Sequence, residues 1–407
     1  MKYVLLIGDG MGDVPVPQLN DQTPLEAART PTMDRLSVEA EKLLLHTVPE
    51  GYPPGSDVAN LSLLGYAPER YYTGRAPLEA ASMGVELASD EVAFRCNLVN
   101  IQQQADECLL MKDYSAGHIT TKESTQLINS IQEQCGNSVI RLHPGISYRH
   151  LLVYSGTPAA GVDTVPPHDY SEQEVTAHYH RYKNDSHLFA LMEKARIVLA
   201  DHPVNRQRVI DGKLPANAIW LWGEGKRPAM ETIPQLYGVH GGMISAVDLL
   251  MGLGVLSGLE VVKVEGATGY LDTNYAGKAE AAIGVLKNRD LVVVHVEAPD
   301  ETGHQGLAAE KVQAIEDFDE KIVRPIVESL EDQGEEFRVV VTMDHYTPIH
   351  RRTHEGWPVP LFLYDSRKNP NPDGILYSEK NVLGAMANGG KEFVSGTDFF
   401  RYFLERG

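Results

Sequence analysis

Three apolar runs, each stopping at side chains of metal-binding type, constrain this chain more than anything else in it. Val339-Val-Val-Thr-Met ends at Asp344-His345, and the loop beyond carries His350, Arg351, Arg352 and His354. Leu291-Val-Val-Val-His-Val-Glu297 leads into Asp300 and His304, while Tyr3-Val-Leu-Leu-Ile leads into Gly8-Asp9-Gly10. Unbroken β-branched runs predict strands covered on both faces, as in a parallel α/β sheet. Such strands deliver ligands at their carboxyl ends, where the loops gather. A helix starting after Glu297 would put Asp300 and His304 on one face. Each motif alone also fits an Asp that accepts in a turn beside a half-buried His. The repetition of the pattern at separate strand ends favours metal ligation.

A Gly/Pro-rich turn, Glu50-Gly-Tyr-Pro-Pro-Gly, hands over at Ser56 to an expected amphipathic helix. Unpaired N–H groups and the positive dipole end favour an anion there, although Ser56 also fits as a plain helix cap. No Gly-x-Ser-x-Gly elbow surrounds it, so activation by a metal is the simpler idea. A second helix is predicted from Pro31 with Thr30 as its cap.

Residues 93–190 have a different texture. Short strands around Phe94, Cys108 to Asp113, Val139 and Tyr148 to Tyr154, with a helix over Lys122 to Gln134, predict an α+β insert. Its Arg95, Asp113, His118 and Arg149 are candidate grips for a small anion. Beyond it, Ala218-Ile-Trp-Leu-Trp-Gly predicts a strand, Gly242 to Gly254 and Tyr275 to Lys287 helices, and Glu310 to Gln333 one long helix. Leu361-Phe-Leu-Tyr predicts the last strand, and Gly396 onward a packing helix.

A formal charge of −20 argues against nucleic-acid or anionic-membrane partners. Three cysteines with no close pair point to a reducing, cytoplasmic setting. The first apolar run is too short for a secretory core, and no stretch reaches membrane-spanning length.

Gly-Asp9-Gly-Met-Gly-Asp, Gly-Ser56-Asp-Val-Ala-Asn, Asp300-x-x-Gly-His304, Met-Asp344-His345 and Thr-His354 together resemble the alkaline phosphatase superfamily. Within it, the chain is similar to the archaeal-type 2,3-bisphosphoglycerate-independent phosphoglycerate mutases. Thr-Gly-Arg75-Ala-Pro, Phe-Arg95-Cys-Asn and Gly-Ala-Thr-Gly-Tyr extend that similarity over most of the chain. The resemblance implies an α/β, alkaline-phosphatase-like, mostly parallel sheet sandwiched by helices (1–92 and 191–407), with an inserted α+β cap (93–190). It implies two divalent ions, one on Asp9, Ser56, Asp344 and His345, the other on Asp300, His304 and His354. Mixed oxygen and nitrogen donors suit manganese first, with zinc, cobalt or magnesium as alternatives.

The implied activity is interconversion of 3- and 2-phosphoglycerate, in glycolysis and gluconeogenesis, through a phosphoserine at Ser56. At Asp113-Tyr-Ser-Ala-Gly-His118 the chain departs from the family, which has arginines where Tyr114 and His118 stand. That departure admits a homoserine-kinase-like phosphotransferase, although no phosphate-binding loop for a nucleotide is present. The shared metal set also admits a phosphatase. The expected partner is a small phosphorylated substrate.

Overall fold

The computed structural model describes residues 1–104, 108–368 and 373–405. The chain forms two compact units, Met1–Tyr72 with Ala229–Gly407, and Thr73–Pro228.

In chain order, β1 (Lys2–Gly8) and β2 (Glu41–Leu45) belong to the first unit. The second holds β3 (Glu91–Gln103), β4 (Leu109–Asp113), β5 (Ile140–His143), β6 (Arg149–Ser155), β7 (Gln173–Glu174) and β8 (Ala218–Lys226). The first unit resumes with β9 (Gly241–Ile244), β10 (Glu260–Val261) and β11 (Leu291–Val296). It ends with β12 (Phe337–Thr342), β13 (Val359–Asp365) and β14 (Lys391–Phe393).

The sheet of the first unit runs β10-β9-β11-β1-β12-β13-β2-β14. From β10 to β12 all neighbours are parallel, and β11 and β12 are buried along their whole length. The valine runs therefore form the covered centre that their composition requires. β13 is antiparallel to both β12 and β2, and it is followed by β14, so Leu361 to Tyr364 is neither the last strand nor a parallel one.

Four helical expectations change. Gly242 to Gly254 splits into β9 and a helix over Asp248–Leu256, because Gly241 to Ile244 pair with β11. The expected helix from Glu310 to Gln333 contains a π turn, Asp319–Val323, between helices Ala308–Phe318 and Arg324–Asp332. Asp319 there accepts from the backbone N–H of Thr32 (3.1 Å) and Met33 (2.6 Å). It thus caps the Pro31–Glu39 helix, whose position-cap Thr30 makes no side-chain cap hydrogen bond. The Ser56–Leu63 helix is buried from Asp57 to Leu63 and is not amphipathic.

In the second unit an antiparallel sheet runs β5-β6-β3-β4-β7, with β8 also paired to β3. Helices Thr121–Cys135 and Ser186–Ala200 contribute to its apolar core. The insert is wider than 93–190 at both ends. β8 pairs with β3 from Val92 to Val99, and the Ala76–Ser82 helix packs beside β3 through Ala76 and Ala80, so both flanks fold with the insert.

Candidate metal centre and nucleophile

Asp9 follows β1 directly and Asp344-His345 follow β12, while Asp300 and His304 lie on the Ala298–Gln305 helix after β11. Parallel strand ends thus bring residues more than three hundred positions apart to one edge of the sheet. Asp9, Asp300, Asp344 and His345 are all buried.

The chain comes close at Gly10. Its φ is +58°, and a Cβ there would lie 2.5 Å from both Asp300 Oδ1 and Thr347 Oγ1, so only glycine fits. Its N–H donates to Asp344 Oδ1 at 3.1 Å.

Ser56 is the first residue of its helix, and the cap position is Gly55, with extended backbone and no side-chain cap. The Ser56 hydroxyl is therefore free of capping work. Its Oγ lies 3.4 Å from Asp9 Oδ2 and 3.3 Å from His345 Nε2. His345 Nε2 is in turn 3.4 Å from Asp9 Oδ1 and 3.6 Å from Asp344 Oδ2.

In the second group, His304 Nε2 is 3.2 Å from Asp300 Oδ2, His354 Nε2 is 3.5 Å from Asp300 Oδ1, and the two ring nitrogens are 2.9 Å apart. Donors about 2.0 to 2.2 Å from one ion, at right-angled to tetrahedral spacing, sit about 2.8 to 3.6 Å from each other. All these separations fall in that window.

The tautomers agree. His304 Nδ1 faces the Arg352 carbonyl at 3.0 Å and His354 Nδ1 the Pro54 carbonyl at 3.3 Å. A carbonyl only accepts, so each Nδ1 carries a proton, and each Nε2 is left to hold a proton in the metal-free protein or to turn a lone pair toward an ion. His345 Nδ1 faces Thr347 Oγ1 at 3.3 Å, and that hydroxyl donates to Asp300.

The electrostatics are those of a site built for positive charge. Burial, with Asp344 and Asp300 nearby, pushes Asp9 well above the ordinary carboxylate range. Burial also opposes charge on Asp300, but hydrogen bonds from His304 and His354 hold it well below that range. The same pairing raises His304 to about 9 against the effect of burial. Crowded carboxylates and inward lone pairs fit two divalent cations.

In the second unit, Arg95 is buried, with its guanidinium 4.0 Å from the Trp222 ring and Nε 3.0 Å from Glu79 Oε2. Burial lowers it to about 10, Glu79 opposes that, and the nearby guanidiniums of Arg75 and Arg149 add to it. The rings of Tyr114, His118 and Tyr148 meet edge-on at 5.5 to 6.3 Å. Asp113 has a different task from gripping an anion: its Oδ1 accepts from Ser115 N–H and Oγ (both 2.7 Å) and from Gly117 N–H (3.1 Å). It shapes the turn that ends at His118.

A sequence model described as 2,3-bisphosphoglycerate-independent phosphoglycerate mutase matches residues 39–205. A protein of that name from Methanosarcina acetivorans is 50% identical over 398 residues, 98% of either chain. The chain belongs to the 2,3-bisphosphoglycerate-independent phosphoglycerate mutase family. A mutase of the same name from Methanosarcina mazei is 49% identical over 406 residues, with 100% of both chains covered. Among solved structures, a Pyrococcus horikoshii protein superposes with a TM-score of 0.81 at 28% identity, covering 100% of this chain and 98% of its own. The cofactor-independent phosphoglycerate mutase of Thermoplasma acidophilum gives 0.63 at 26% identity, covering 100% and 99%.

Several residues of this mutase-family site went unread in the sequence. Asn60, one turn after Ser56, donates to Asp344 Oδ2 and to the Ser56 carbonyl, both at 2.9 Å. Buried Lys311 donates to the Gly12 and Thr347 carbonyls (3.0 and 2.8 Å) and to Asp13 (3.0 Å), tying two strand-end loops together. Helical spacing from a candidate ligand signals the first, and nothing local signals the second. Of the leftover cluster, His350 is exposed, Arg351 pairs with Glu355, and Arg352 contributes its carbonyl to His304.

Proposed function

We propose that this protein interconverts 3-phosphoglycerate and 2-phosphoglycerate through a phosphoserine at Ser56. The observation that carries the reading is the convergence of a Ser56 hydroxyl that caps no helix with Asp9 and His345 at the start of a buried helix. Asp9, Ser56, Asp344 and His345 would hold one divalent ion and Asp300, His304 and His354 the other. Two such cations lower the proton affinity of a serine and offset charge on both sides of an in-line phosphoryl displacement.

Ser56 Oγ then forms the new bond to phosphorus, and the ester oxygen of the substrate leaves with the proton that Ser56 gave up. The second half repeats this in reverse, with the neighbouring hydroxyl of the retained glycerate as acceptor. Asn60 supports the geometry by bonding both Asp344 and the first helical turn. Retention of glycerate and exclusion of water separate this outcome from hydrolysis. The position of the inserted residues in the sequence, together with Arg95 and Arg149, supports a role for them in that retention.

Brief exposure to phosphoglycerate should add one phosphate to the intact mass of the protein, and Ser56→Ala should show none and no turnover. Substantial turnover by Ser56→Ala rules out the nucleophile. Tyr114 and His118, in place of arginines, favour keeping a second substrate in view. A protein that ignores both phosphoglycerates but phosphorylates homoserine from ATP is a kinase, and one that only hydrolyses esters is a phosphatase.

A further inference from the structure

Next to Asp9 lies an imidazole that the metal set above leaves unused. His295 is the next-to-last residue of β11, fully buried, and in register with Ile7 of β1. Its Nδ1 lies 3.3 Å from Ser245 Oγ, a hydroxyl that also accepts from Val247 N–H at 3.0 Å. Its Nε2 is 2.9 Å from Asp9 Oδ2, but at an angle that makes no hydrogen bond, and Asp9 Oδ1 also lacks a hydrogen-bond partner among the described residues.

A ring nitrogen and a carboxylate oxygen this close, with no proton on the line between them, repel each other unless a cation lies to one side of both. Two donors about 2.1 Å from one ion and at right angles to each other are about 3.0 Å apart, with each lone pair aimed about 45° off the line joining them. The 2.9 Å separation of His295 Nε2 and Asp9 Oδ2, with no hydrogen bond at Nε2, fits that relation. Asp344 completes the group, since ligand atoms of Asp9, His295 and Asp344 all lie within 4.8 Å of one another.

We infer that His295 is a ligand, through Nε2, of the serine-side ion, which is then held by two imidazoles, His295 and His345, together with Asp9, Asp344 and Ser56. The inference rests on the two-ion reading above. A second nitrogen shifts the donor set toward manganese, cobalt or zinc and away from magnesium. Selectivity on the serine side therefore resides in a residue inside a strand, one position before the strand ends.

The test is metal uptake by chelated protein, followed for Mn²⁺ and Mg²⁺ by metal analysis and calorimetry in the unmutated form, His295→Ala and His295→Gln. The unmutated protein is expected to take up two Mn²⁺ per chain. His295→Ala should keep the ion on Asp300, His304 and His354 but bind the other at least tenfold more weakly, with free imidazole restoring it. His295→Gln, which offers an oxygen instead, should bind both ions and raise Mg²⁺ affinity relative to Mn²⁺ at least tenfold.

Unchanged uptake in both variants overturns the inference. So does an equal loss of both metals without imidazole rescue, which makes His295 a support for Asp9 alone. Fewer than two ions on the unmutated protein overturns the two-ion reading itself. Circular dichroism of the metal-free forms separates a lost ligand from a lost fold, and His295→Gln decides the matter where His295→Ala does not fold.

Discussion

At the residue scale, the Asp300–His304 pair makes the metal-free protein respond to pH in a definite direction. His304 rises to about 9 from its ordinary 6.5, so its stabilising contribution is complete below about 6.5 and is lost as pH climbs through 9. Thermal unfolding of chelated protein should therefore show the gap between unmutated and His304→Gln forms closing over that window; a gap that widens contradicts the pairing. In the second unit, three guanidiniums share a neighbourhood in which Glu79 is the acidic partner of Arg95. A substrate with a phosphate and a carboxylate needs such charge, and a hydrogen bond to a charged group contributes roughly 1.5 to 3 kcal/mol. Arg149→Ala should accordingly lower phosphoglycerate kcat/KM more than tenfold while sparing a small neutral phosphate ester. Equal losses on both substrates would count against it. The convergence of the strand-end side chains Asp9, Asp300, Asp344 and His345 was legible because a residue type at the end of an apolar run is a local pattern. Asp113 misled because a carboxylate spent on a turn looks, in sequence, the same as one facing a ligand.

At the scale of elements, the π turn couples two helices. Asp319 is fully buried and accepts from two N–H groups at the start of the Pro31–Glu39 helix, so Asp319→Ala leaves those donors without a partner. The expected loss is about 1 to 3 kcal/mol of unfolding free energy, measured by urea titration, with metal content unchanged. A loss below a few tenths would mean that water replaces the carboxylate. Periodicity located most helices and strands, but it could not separate Gly241 to Ile244 from the helix after them. An apolar stretch with glycines fits either state until its pairing with β11 selects one. The wide margins of the insert were hidden for a similar reason. The pairing of β8 with β3 joins positions more than a hundred residues apart, and no window along the chain contains both.

At the scale of the molecule, the candidate ligands are drawn from Asp9 to His354, so ion binding there would stabilise the fold of one unit directly. Ligand at a hundred times its dissociation constant adds about 2.7 kcal/mol per site, and chelation should lower the unfolding temperature of unmutated protein. Asp344→Asn should respond much less, and an equal response would place the stabilising ion elsewhere. The order of the sheet has a further consequence, for synthesis. β1 is made first, yet its neighbours β11 and β12 begin at Leu291 and Phe337. At about 5 to 20 residues per second, that apolar strand waits roughly 15 to 60 seconds on the ribosome before either partner emerges. The unit from Thr73 to Pro228 is complete well before then. From the completion of Pro228 until β11 and β12 emerge, the nascent chain thus pairs a complete middle unit with a bare, adhesive β1, a substrate for chaperones before it is an enzyme.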